Sequence, residues 1–121
     1  MRVLVCGSRD WNDRDMIRAA LSRLPSGTIV IEGEARGADL LARSVAEELG
    51  FEVVKFPADW TRYHRAAGPI RNQQMLVEGK PDYVIAFHDD IRTSKGTFDM
   101  VNRARGAGIR VMIISHHGES E

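Results

Sequence analysis

A single cysteine, no excess of either charge and no long apolar run set the first limits on this 121-residue chain. One thiol, Cys6, closes no internal disulfide and builds no thiolate zinc site. Seventeen Lys and Arg residues balance seventeen Asp and Glu, for a formal net charge of zero. Unaided attraction to nucleic acid or an anionic membrane needs a basic excess, so neither is the expected partner. The longest apolar runs, such as Val111–Ile114, fall far short of a membrane span. Met1 and Arg2 lead straight into Val3-Leu4-Val5 without the apolar region and cleavage site of a secretion signal. A cytoplasmic protein is the resulting expectation.

What is present suits one packed domain. The chain is 43% hydrophobic, and its length falls within the usual domain size of roughly 100–150 residues. Five short, largely β-branched runs, Val3–Cys6, Thr28–Ile31, Glu52–Phe56, Tyr83–Phe87 and Arg110–Ile114, read as strands covered on both faces. Between them lie helical stripes: Met16, Ile17, Ala20, Leu21 and Leu24; then Ala38, Leu41, Ala42, Val45 and Leu49. Weaker stripes follow at Ile70, Met75 and Leu76, and at Met100, Val101 and Ala104. Alternation of this kind predicts a Rossmann-like α/β sandwich around a five-stranded parallel sheet, order 3-2-1-4-5. The domain is expected over residues 1–115, with 116–121 as a flexible tail. Ligands of such sheets bind beyond the carboxyl ends of the strands at the topological switch.

Four segments fall there. Gly7-Ser8-Arg9-Asp10 follows the first strand; it suits close approach to a phosphate, and equally an ordinary turn with Asp10 or Asn12 as a helix cap. Gly33-Glu34-Ala35-Arg36-Gly37-Ala38-Asp39 follows the second, without GxGxxG spacing or a Walker lysine, and no cofactor is implied. Asp39 there also suits the helix dipole. Pro57–Ala67 is the longest connection, with Asp59, Trp60 and Tyr63 before Arg71 and Asn72 on a helix opened by Pro69. Its aromatics could stack on a base, or simply cover the edge of the core. His88–Thr97 ends in Gly96-Thr97 at a helix start suited to phosphate; Asp89 could meet a ribose or a metal, or lie in solvent. His116 and His117 lack the further ligands of a metal site and are expected to be free.

Taken in order, Gly7-Ser8-Arg9-Asp10, Gly33-Glu34-Ala35-Arg36-Gly37-Ala38-Asp39-Leu40-Leu41-Ala42, Pro57-Ala58-Asp59-Trp60, Ala67-Gly68-Pro69-Ile70-Arg71-Asn72 and Gly96-Thr97-Phe98-Asp99-Met100-Val101 span nearly the whole chain. The chain resembles the YspA/YpsA-related branch of the SLOG superfamily, small single-domain proteins of bacteria and phages. The resemblance implies a Rossmann-like fold and a pocket for a nucleotide or nucleotide-derived ligand such as ADP-ribose. Its ligand-binding residues would be Gly7, Ser8, Arg9, Gly33, Glu34, Arg36, Gly37, Asp39, Asp59, Trp60, Arg71, Asn72, Gly96 and Thr97.

Two relatives within that superfamily supply the alternatives. LOG-type phosphoribohydrolases cleave nucleotides, with a catalytic glutamate three residues after the Gly-Thr threonine. That position is Met100 here, which argues against their mechanism and leaves Glu32, Glu34, Asp59 or Asp89 for acid–base chemistry. DprA-type proteins bind single-stranded DNA, for which only the stretch Arg62–Arg71 is basic. Two further departures stand out: the family's second glycine is replaced by Glu34, and His88–Lys95 stands where a glycine-rich stretch is common. A homodimer is left open.

Overall fold

The computed structural model describes all 121 residues, Met1–Glu121. Its sheet runs β3-β2-β1-β4-β5-β6. The strands are β1 (Arg2–Gly7), β2 (Ile29–Glu32), β3 (Glu52–Lys55), β4 (Tyr83–Phe87), β5 (Arg110–Ser115) and β6 (Gly118–Ser120). The helices are α1 (Arg14–Leu21), α2 (Ala38–Glu48), α3 (Trp60–Tyr63), α4 (Ala67–Gly79) and α5 (Lys95–Gly106). β1 lies at the centre, with Leu4 opposite Ile31 on one side and Val84 on the other, both in parallel register.

Successive residues of each central strand point to opposite faces, and the two faces make two cores. Val3, Val5, Val30, Ile85 and Phe87 pack with Ile17 and Leu21 of α1 and Ala42 and Val45 of α2. Leu4, Cys6, Ile31, Val84 and Ala86 pack with Met75 of α4 and Met100, Val101 and Ala104 of α5. Small residues on the inner faces of α2 and α5 let those helices lie close to the sheet. Cys6 is buried in the second core, where desolvation drives its thiol strongly upward and keeps it un-ionised.

The predicted strand order holds for the five parallel strands. One expectation needs correcting. The segment taken for a free tail turns back after Ser115, and Gly118–Ser120 pairs antiparallel with Ile113–Ser115. Its residues are all exposed, so no apolar pattern marks it. The long connection after β3 also holds structure of its own, α3 and a 3₁₀ turn at His64–Ala66.

Candidate functional site

A cavity of about 330 Å³ opens above the carboxyl ends of β1, β2 and β3. That is within the range of small-molecule sites, roughly 300–1,000 Å³. Its walls are Arg9 after β1, Gly33–Arg36 after β2, Pro57, Ala58 and Trp60 after β3, and Arg71 from α4. The site thus lies on the β3 side of the switch between β1 and β4.

Arg71 anchors it. The side chain, 9% exposed, turns inward from the first turns of α4, and its Nη1 donates to the Gly33 carbonyl. Its Nε donates to Asn72 Oδ1 at 3.1 Å, and Asn72 Nδ2 in turn donates to Asp99 Oδ2 at 2.9 Å and to the Gly96 carbonyl at 3.3 Å. One side-chain chain therefore ties the β2–α2 loop to α4 and the start of α5. A Cβ on Gly33 would collide with the Arg71 guanidinium, and one on Gly37 with the Ser8 and Arg9 backbone. The room these glycines leave is filled by the protein's own segments.

Two buried carboxyls hold the same loop. Glu32 Oε1 accepts from the Glu34 amide at 2.8 Å, and Asp39 Oδ2 accepts from the Ala35 amide at 3.2 Å. The Glu34 and Ala35 amides of this loop are thus engaged internally. Burial pushes the Glu32 carboxyl up to about 8 and that of Asp39 up to about 6. Glu32 Oε2 is fully buried with no hydrogen-bond partner in the protein. Burial also lowers Arg71, against the pull of Asp39.

Glu34 stands at φ 60°, the left-handed conformation that favours glycine. The backbone keeps the shape a glycine would give, and the extra carboxylate turns to Arg43, at 2.7 Å. This pairing raises the Arg43 guanidinium further. Arg9 is different: it forms no hydrogen bond or ion pair within the protein, and its guanidinium lies 5.6 Å from the centre of the Trp60 ring. Arg36 is exposed and meets only Asp10, at 3.7 Å.

Of the residues named from sequence, Arg9, Gly33, Glu34, Arg36, Trp60 and Arg71 line this one cavity. Asp39 and Asn72 lie buried as supports beneath it. Ser8 is occupied: its carbonyl accepts from the Ala38 and Trp11 amides, and its Oγ from the Asp10 amide. Asp59 caps α3 by accepting from the Arg62 amide at 3.1 Å. Gly7, Gly37, Asp89, Gly96 and Thr97 are not among the lining residues, and the Thr97 amide is taken by Ser94 Oγ at 3.2 Å. Sequence reasoning missed Ala35, Pro57 and Ala58 as lining, and weighed Glu32 only as an acid–base candidate. An acidic residue closing an apolar strand was the available signal for Glu32.

Met100 is 1% exposed in the second core, and the neighbouring Asp99 carboxylate is engaged by Asn72 and by Arg103 at 2.8 Å. The Arg62–Arg71 stretch is no continuous stripe either: Arg62 lies over Tyr63 while Arg71 points inward.

A mostly parallel, doubly wound sheet with an arginine-lined cavity at the strand ends defines an α/β protein of the Rossmann-like class. A family model described as "YspA, cpYpsA-related SLOG family" matches residues 1–63. Over 120 aligned residues the chain is also 38% identical to the Gene 61 protein of Mycobacterium phage D29, covering 92% of this chain and 94% of the relative. The chain belongs to the YspA, cpYpsA-related SLOG family. No helix is long and apolar enough to cross a membrane.

Proposed function

We propose that this protein binds a nucleotide or nucleotide-derived ligand in the cavity between Arg9, Arg36, Arg71 and Trp60. The observation that carries the reading is Arg9. It is a guanidinium with no protein partner, held against an indole, beside a second exposed arginine on the same wall. Guanidinium forks match phosphate oxygens, and a ring 47% exposed can stack on a base or sugar. With the Glu34 and Ala35 amides already bonded, the arginine side chains are the main donors left to hold the anion.

Binding without hydrolysis is favoured by the engagement of the candidate acids. Glu34 is paired with Arg43, Asp59 caps a helix, Asp89 contacts His116, Glu32 is fully buried and not part of the cavity wall, and Met100 brings no carboxylate. The test is thermal denaturation with AMP and ADP-ribose, with chromatography for released base. Stabilisation without release, lost in Arg9→Ala, is expected. Release in proportion to protein would make this a hydrolase, and a salt-sensitive shift with oligonucleotides would make it a DNA binder.

A further inference from the structure

On the opposite flank of the strand ends, His116 is gripped from both sides. Its Nδ1 lies 3.0 Å from both carboxylate oxygens of Asp89, and its Nε2 lies 3.0 Å from Asp13 Oδ2, 103 residues away in sequence. Its backbone amide donates to Asp89 Oδ1 at 2.8 Å. The ring stacks on Trp11, centroids 4.5 Å apart and planes 20° from parallel. Trp11 in turn packs on Phe87 of the core and donates from its indole Nε1 to the Asp13 carbonyl. The expectation of a free histidine on a free tail is thereby corrected.

Proton arithmetic fixes the state of this ring. A neutral imidazole has one N–H and one lone pair, so it can donate to only one of two carboxylates. The other contact would then set a lone pair against a carboxylate oxygen at 3.0 Å. The imidazolium donates from both nitrogens, and its charge also suits the indole face. The groups facing the ring are Asp13 from the start of α1, Asp89 from beyond β4 and Trp11 from the β1–α1 loop. His117 lies near Asp89, and neither carboxylate forms an ion pair with Lys or Arg.

We infer that His116 is a protonation-dependent clasp: as imidazolium it fastens the β5–β6 turn to the β1–α1 and β4–α5 loops, and on losing its proton it gives up one of its two carboxylates and loosens the turn, which the backbone amide still ties to Asp89. The β1–α1 connection contributes Trp11 and Asp13 and the β4–α5 loop Asp89, so a loosened ring leaves Gly118–Ser120 held by its pairing with β5 and by the exposed Arg23–Glu119 contact at 3.6 Å. In agreement, the contacts to Asp89 and Asp13 hold the His116 ring protonated to higher pH than usual, and the His116 amide and ring lower Asp89. A group raised on folding stabilises fully below its unfolded value, about 6.5, and that contribution is lost as pH rises through the folded value.

The experiment is a proton titration of the His116 ring carbons by NMR between about pH 5 and 9, folded and in urea. Protection factors for the amides of residues 118–120 are measured alongside, with the intrinsic pH dependence of exchange divided out. The folded midpoint should lie above the urea midpoint, and Asp13→Asn and Asp89→Asn should each lower it. Protection should fall several-fold at the same midpoint, and His116→Gln should remove the step. Equal midpoints in the two states, or protection that stays flat through the titration, would overturn the clasp. If His116→Gln does not fold, the two Asn variants, at partly exposed positions, still decide between these outcomes.

Discussion

The Arg71 guanidinium occupies the space where a side chain on Gly33 would begin, and it donates to the carbonyl of that same residue. Gly33 does not use a positive φ, so the requirement for glycine there is steric. Gly33→Ala should therefore destabilise by roughly 1–3 kcal/mol in urea unfolding. In an Arg71→Ala background the same change should cost less, or stabilise slightly through the unfolded chain. Equal costs in both backgrounds would mean that the two residues are not coupled.

Arg9→Ala should weaken nucleotide binding roughly 10–100-fold while shifting the unfolding midpoint little, since the only side-chain contact Arg9 makes within the protein is the exposed one over the Trp60 ring. Trp60→Ala should weaken binding less for inorganic phosphate than for a nucleotide, because only the latter offers a ring to stack on. Calorimetric titration with both ligands separates the two contributions. Equal losses for the two ligands would remove stacking from Trp60's role.

Glu32 gives a pH signature. An unfolded glutamate titrates near 4.5, whereas burial pushes this one up to about 8 in the folded protein. The folded chain thus holds the extra proton across that interval, and stability falls as pH rises from about 4.5 towards 8. Glu32→Gln should flatten that slope and be more stable than the natural chain at alkaline pH, by a few kcal/mol as an order of magnitude. Parallel slopes for the two proteins in urea unfolding at several pH values would show that Glu32 ionises without penalty.

Glu34 carries a smaller strain. Replacement by Ala or by Gly removes the same contact to Arg43, but only glycine relieves the left-handed backbone at φ 60°. Glu34→Gly should therefore be about 1 kcal/mol more stable than Glu34→Ala in thermal unfolding. The reverse order would indicate that the loop relaxes to another conformation when the side chain is lost.

Much of this was readable before any coordinates. β1, β2 and β4 announce themselves as apolar runs because both of their faces are buried, β5 because its Val111–Ile114 run packs on both cores, and Gly50, Gly79 and Pro81 mark where helices end. The site was legible as a set of loops, since strand order alone brings the carboxyl ends together. The direction of individual side chains was not. Arg71 reads as a surface residue near a helix start, and nothing local reveals that it turns into a gap left by a residue 38 positions earlier. β6 and the His116 contacts were hidden for the same reason: a polar, exposed segment has no periodicity, and its partners lie far away in sequence.

The last strand also changes what the sheet offers to other chains. Without it, β5 would present an open row of backbone donors and acceptors beside Met112, Ile113 and Ile114, the kind of edge onto which a further strand can add. β6 covers the upper half of that row, and the rim it leaves is short, fully exposed and marked by Glu119. At the far rim β3 spans only four residues and begins and ends on the exposed charges of Glu52 and Lys55. Both borders are thus short and carry exposed charge, features that disfavour strand-on-strand growth, and at one of them three residues at the end of the sheet supply the cover.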